Sequence, residues 1–143
     1  MLKILFAVDG SESSLRAARQ LAKSVSGYKQ TPEVHMVVVH LPVPLAGKVT
    51  HTLGTAVLEN YYNEGNEVAL KEARKILTLA GIVAIEHTLV GDPAATLVEL
   101  ARTQGCDQLY MGTRGMGAVK SLVLGSTAQK VLHLTDIPVV LVH

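Results

Sequence analysis

Residues 3–14 read KILFAVDGSESS. Ile4, Leu5, Phe6, Ala7 and Val8 form a short unbroken apolar run, which Asp9-Gly10 halts. A run of this length, rich in aliphatic side chains and closed by a turn pair, reads as a strand buried on both faces. Ser11 then stands where a helix begins, with a hydroxyl able to accept from a free backbone N–H one turn on. Leu15, Ala18, Leu21, Ala22 and Val25 follow at helical spacing. A buried strand, an acidic turn and an amphipathic helix make the first part of a βαβ unit.

The same alternation continues to the other end of the chain. Residues 34–41, 82–90, 109–111 and 137–142 are further apolar runs of strand length. Between them, Leu58, Tyr61, Tyr62, Gly65, Val68, Ala69, Ala73, Ile76, Leu77 and Ala80 share one helical face. Glu67 stands four residues before Lys71, the favourable order for an exposed helix pair. Shorter helices are expected over 93–104 and 125–134. Asp92-Pro93 announces the first of these, because Asp caps and Pro fits the first helical position. Gly27 and Gly81 fall just past helix ends, where a left-handed residue is common. Pro138 marks an edge or strand-start position. The order β-α-β-α-β-α-β-α-β predicts an α/β fold, a doubly wound parallel sheet with helices on both faces. The long irregular stretch is 42–55.

Composition narrows the function. The chain has 143 residues, which predicts one domain over 1–143. Hydrophobic residues make up 48% and charged residues 17%, too apolar for a disordered chain. Lys plus Arg is 13 against Asp plus Glu 12, a net charge of +1, which gives no electrostatic case for nucleic acid or an anionic membrane. Aromatic residues are 3%, too few for base-stacking platforms. No apolar stretch approaches the ~20 residues of a membrane span, and no secretory h-region is visible. A cytoplasmic protein is expected, and the lone Cys106 suits a reducing compartment.

In open doubly wound sheets, ligands bind beyond the carboxyl ends of the strands, where strand order reverses. Asp9-Gly10-Ser11, His40-Leu41-Pro42, Gly91-Asp92 and the segment GTRGMGAVKSLVLGST over 112–127 all follow strands. Gly112, Gly115 and Gly117 crowd the last segment, and Gly125-Ser126-Thr127 opens a helix. Glycines let a ligand approach the main chain, and free N–H groups at a helix start favour a phosphate. Arg114 and Lys120 add positive charge. The segment is not a P-loop, because Ala118-Val119 follow Gly117 where lysine and a hydroxyl are needed. It is not a dinucleotide fingerprint either, because the order is G-x-x-G-x-G and it follows the fourth strand.

What does fit is G-x2-G-x9-G-S through Gly112, Gly115, Gly125 and Ser126. With Asp9 closing the first strand, the chain resembles the universal stress protein family, in its ATP-binding branch. KILFAVDGSESS, VVVHLP, GDP and IPVVLV carry the resemblance over essentially the whole chain. It implies a Rossmann-like, adenine nucleotide hydrolase-like fold with five parallel strands in order 3-2-1-4-5. It implies an ATP-binding regulatory module of the stress response. It assigns Ala7, Val8 and Asp9 to the adenosine part, with Leu41 bordering the adenine. Gly112, Gly115, Gly125, Ser126 and Thr127 would hold ribose and phosphates, with Arg114 beside them and Mg2+ on the phosphates. Ala128 departs from members with a hydroxyl there. The resemblance also implies a homodimer through the last strand. A slow ATP-hydrolysing enzyme on the same fold and a nucleotide-free dimeric scaffold are the alternatives.

No catalytic residue is assigned. His35, His40, His51, His87, His133 and His143 show no metal-ligand spacing such as H-x3-H. His40 is expected at a strand end near the crevice. Cys106 is expected to be a small buried residue rather than a nucleophile.

Overall fold

A computed structural model describes residues 1–42, 55–114 and 124–143, with the side chains of 55–66 outside that description. Among the described residues the elements are β1 (Lys3–Ala7), α1 (Glu12–Ser24), a 3-10 turn (Val25–Gly27) and β2 (Glu33–His40). Then come α2 (Thr55–Leu79), β3 (Ile85–Val90), α3 (Pro93–Gln104), β4 (Gln108–Gly112), α4 (Ser126–Leu134) and β5 (Val139–Val142). The sheet has five parallel strands in the order β3-β2-β1-β4-β5. The expected fold is therefore present, with β1 at its centre.

The two faces of the sheet follow from the alternation of side chains along each strand. Ile4, Phe6 and Val8 point to one face, with Val34, Met36 and Val38 of β2, and pack under α1 and α2. Leu5 points to the other, with Val37, Leu109 and Met111, and packs under α3 and α4. Ile4, Leu5 and Phe6 are wholly buried. Each such side chain stabilises the fold by about 1.5–3 kcal/mol relative to exposure. These core contacts hold the strand that delivers Asp9 to the carboxyl edge of the sheet.

The helix starts behave as their sequences require. Ser11 caps α1, its hydroxyl accepting from Ser14 N at 3.2 Å. Asp92 caps α3 by accepting from Ala95 N at 3.1 Å, with Pro93 in the first turn. Lys130 of α4 also reaches Asp92, at 3.0 Å, so one carboxylate both caps α3 and ties α4 to it. Gly81 takes the left-handed conformation expected after α2, at φ 79°. Gly105 does the same after α3, at φ 65°. Gly27 differs. It lies inside the 3-10 turn and is not among the residues of positive φ, because the chain tightens after α1 instead of reversing hand.

Three sequence expectations change. Residues 82–90 do not form a strand buried on both faces. β3 begins at Ile85, and Ile85 and Val90 are 46% and 48% exposed, because it lies at the sheet edge. On α2, Val68 is 77% exposed while Leu70 is 2% exposed, so Ala69, Leu70, Ala73 and Leu77 form the buried stripe. Leu58, Tyr61, Tyr62 and Gly65 lie outside the residues whose side chains are described. Glu67 pairs with Arg74, two turns on, at 3.1 Å, and Arg74 also grips Glu86 of β3. The helix thereby reaches the neighbouring strand instead of closing an internal pair with Lys71.

Candidate functional site

The geometry at the carboxyl edge begins with strand pairing. β1 and β4 pair at Ile4–Gln108, Leu5–Leu109 and Phe6–Tyr110 and no further. Beyond that point β1 stays with β2, through Ala7–Val37 and the bond from Val8 N to Val37 O at 2.8 Å. β4 stays with β5, through Gly112–Val142 and the bond from Thr113 N to Val142 O at 3.0 Å. The sheet divides there, each strand keeping its outer neighbour. Ala7-Val8-Asp9 and Met111-Gly112-Thr113 are the two banks.

On the first bank, Val8 is buried in the core under α1, and Asp9 is exposed. Asp9 Oδ1 accepts from Ser11 N at 2.9 Å, an Asx turn that fixes the carboxylate at the mouth. Gly10 sits between them at φ 81°, a conformation glycine adopts without steric cost.

The second bank is built around the first turn of α1. An ideal Cβ on Gly112 would collide with Ser13: its carbonyl carbon lies 2.7 Å and its Cβ 2.8 Å from that point, and the hydroxyl is nearer still. The missing side chain at 112 is therefore required by the packing of α1, whatever occupies the crevice. Ser13 Oγ donates to Val142 O at 3.3 Å and accepts from Arg114 N at 3.4 Å. Ser11 Oγ donates to Arg114 O at 3.4 Å. Sequence reasoning singled out Ser11 as a cap and passed over Ser13. The S-x-S pattern after Asp9-Gly10 was the available signal, two hydroxyls set to meet the chain leaving β4.

Thr113 connects that bank to α4. Its carbonyl accepts from Gly125 N at 2.5 Å, and its hydroxyl lies 3.3 Å from His143 Nδ1. Thr113 is 8% exposed and was another residue the sequence reading missed. Gly125 is the N-cap of α4, at φ −72° and ψ 163°, with no side-chain cap. Any residue can adopt that backbone conformation. The helix thus starts beside the crevice, with Ser126 and Thr127 in its first turn and no cap side chain accepting from it. The positive end of the helix dipole lies at that start. Ala128 is 2% exposed and belongs to the core under α4.

The structure brings Ala7, Val8, Asp9, Gly112, Arg114, Gly125, Ser126 and Thr127 to one edge of the sheet. Leu41 follows β2, one strand further over, and is 66% exposed. Gly115, Gly117 and Lys120 lie outside the described residues, as do 43–54 of the irregular stretch and His51 within it. Among the described residues no group of three or more His, Cys, Asp and Glu gathers where it could hold a metal. Cys106 is buried, and burial pushes its thiol up, with Asp107 and Glu33 raising it further and Lys3 opposing them. No described helix is long and apolar enough to cross a membrane.

Comparison with known proteins agrees with this architecture. The universal stress protein family matches residues 1–143. A universal stress protein encoded 3′ to the QAH/OAS sulfhydrylase of Thermus aquaticus is 36% identical over 141 residues, spanning 98% of this chain and 97% of that one. The solved structure of MJ0577, from Methanocaldococcus jannaschii, superposes with a TM-score of 0.82 at 24% identity, covering 99% of this chain and 94% of the other. A universal stress protein from Archaeoglobus fulgidus, solved in complex with dAMP, superposes at 0.64 with 23% identity, covering 100% and 98%. Two further structures of this fold carry cAMP and, in an Arabidopsis thaliana protein, AMP. Their TM-scores are 0.66 and 0.68 at 24% and 17% identity, covering 99% of this chain and 96% and 91% of theirs.

Proposed function

Because the chain belongs to the universal stress protein family, we propose that it is a stress-response regulatory module binding an adenine nucleotide, ATP with Mg2+, where β1 and β4 part. The observation that carries this reading is the division of the sheet after Phe6–Tyr110, with an exposed carboxylate on one bank and a helix start on the other. Ligands of open parallel sheets occupy such reversals. The neighbours solved with dAMP, cAMP and AMP support adenine as the base.

In this reading Ala7, Val8 and Asp9 border the adenosine, and Leu41 flanks the adenine. Gly112, Gly115, Gly125, Ser126 and Thr127 are the residues assigned to the ribose and phosphates, with Arg114 supplying positive charge. The first turn of α4 offers main-chain N–H groups and a favourable dipole to the anion. A Mg2+ would be carried on the phosphate oxygens, with Asp9 the exposed carboxylate at the mouth of the crevice. The ion would screen the charge of the phosphate tail. The protein's own part is binding and orientation. With no general base assigned, hydrolysis is at most slow, and the output is conformational or an assembly. The setting is cytoplasmic.

Mass spectrometry of small molecules released from the purified, denatured chain should find an adenine nucleotide. Titration calorimetry with Mg-ATP should show binding that Gly125→Val abolishes, because a side chain there blocks approach to the cap. Ser126 is exposed, so Ser126→Glu tests the same point without touching the core. Its carboxylate would repel the phosphates while the fold stays intact. Undiminished affinity in both variants would refute the assignment.

A further inference from the structure

Edge strand β3 is fastened to the sheet by a polar contact on each face. Toward α2, Arg74 grips Glu86 through two bonds, Nε to Oε1 at 2.5 Å and Nη2 to Oε2 at 3.0 Å. Toward α3, His87 meets His35 of β2. Their ring nitrogens, His35 Nδ1 and His87 Nε2, lie 2.8 Å apart, and the rings stack with centroids 5.1 Å apart. His35 is 3% exposed, and its other nitrogen, Nε2, lies 2.8 Å from Glu33 Oε1. Register explains the meeting: His35 pairs with Ile85 and Val37 with His87, so the two histidines are diagonal neighbours on one face.

Proton bookkeeping along this chain of three side chains is constrained. A carboxylate only accepts, so His35 Nε2 must carry a hydrogen. With both rings neutral, His87 Nε2–H donates to the Nδ1 lone pair of His35. One added proton is also accommodated, because a charged His35 can donate to Glu33 and to a neutral His87 together. With both rings charged, two N–H groups face each other across 2.8 Å and the contact fails.

We propose that His35 and His87 form a one-proton latch that fastens β3 to β2 and releases the strand when both rings become charged. The surroundings favour a single charge. Lys3 of β1 lies 3.5 Å from Glu33, and Asp107 and the buried Cys106 stand at the same corner of the sheet. The charged side chains Glu99 and Arg102 of α3 pair with each other in solvent. On the opposite face Arg74 keeps its proton at all accessible pH, so that grip carries no comparable switch. Burial, and then the neighbouring His35, hold His87 below the ordinary histidine value, while Glu33 is held below the usual carboxylate range chiefly by its bond to His35. The sign follows. An opened strand returns His87 to its ordinary value near 6.5, so closure is favoured above that pH and weakens as pH falls toward the lower, closed-state value.

The test uses the full chain and the variant His87→Gln, whose amide can donate to His35 without titrating. Imidazole 15N spectra should show the pair taking up one proton before the second. Hydrogen-exchange protection of amides 85–90, corrected for intrinsic rate, should fall by up to about tenfold per pH unit below ~6.5, the slope of one linked proton. Amides 108–112 should hold their protection, and His87→Gln should remove the pH dependence at 85–90. Two histidines titrating independently at ordinary values would overturn the proposal. So would a variant that keeps the wild-type pH dependence.

Discussion

Replacing Gly112 with alanine tests how the crevice is built. The added Cβ would lie 2.7 Å from the Ser13 carbonyl carbon, so the obstacle includes backbone and cannot swing aside as a side chain could. Helix α1 must shift at its first turn, and overpacking of this kind costs about 1–3 kcal/mol. The shift also loosens the Ser13 hydroxyl from Val142 O and Arg114 N, weakening bonds worth about 1 kcal/mol each. The sum is about 1–5 kcal/mol, or roughly 3–15 °C in Tm for a chain of this length. Urea denaturation of Gly112→Ala measures it. Gly27→Ala is the control, because nothing lies within 4 Å of that position and its φ is not positive. It should leave stability unchanged or raise it by up to about 1 kcal/mol, since alanine restricts the unfolded chain. Ser13→Gly removes the side-chain part of the collision and leaves the backbone part, so the double variant should recover only a fraction of the loss. A cost for Gly112→Ala below about 0.5 kcal/mol, or strict additivity with Ser13→Gly, would refute the packing argument.

On α2, Leu70→Ala should cost about 2–5 kcal/mol in chemical denaturation, as for other buried leucines, while Val68→Ala is close to neutral. The Asp92 carboxyl is held below its usual range by the bond from Ala95 N and then by Lys130, so its contribution is present above pH ~4 and is lost as pH falls through the lower, folded-state value. The stability difference between wild type and Asp92→Ala should therefore shrink between pH 7 and pH 3 in urea titrations. β5 is a half-buried strand at the sheet edge, the surface through which we expect two copies to pair. Val140→Lys should turn a dimer into a monomer in sedimentation velocity, and an unchanged dimer would defeat that expectation.

What could be read from the sequence was whatever is encoded within a turn or two of chain. Ser11 and Asp92-Pro93 mark helix starts because a capping hydroxyl or carboxylate acts on an N–H three residues away. Gly81 marks a helix end for a similarly local reason. The alternation of apolar runs and helical stripes implied a parallel sheet, since parallel strands need crossovers. The strand order came from the motif G-x2-G-x9-G-S and the family it resembles, not from periodicity. Residues at the mouth of the crevice were legible because they follow strands directly, as Asp9 and Gly112 do.

Tertiary structure decided everything that depends on which strand lies at an edge and which residues meet across long separations. Apolar composition does not distinguish β3 from β1, yet one is an edge strand and the other is central, and only the assembled order separates them. Val68 and Leu70 are both apolar, and the rotation of α2 against α1 chose between them. Ser13 touches Gly112 and His35 meets His87 because crossovers bring distant segments into register. Local propensity acts over about one helical turn or strand, whereas burial and register are properties of the packed whole.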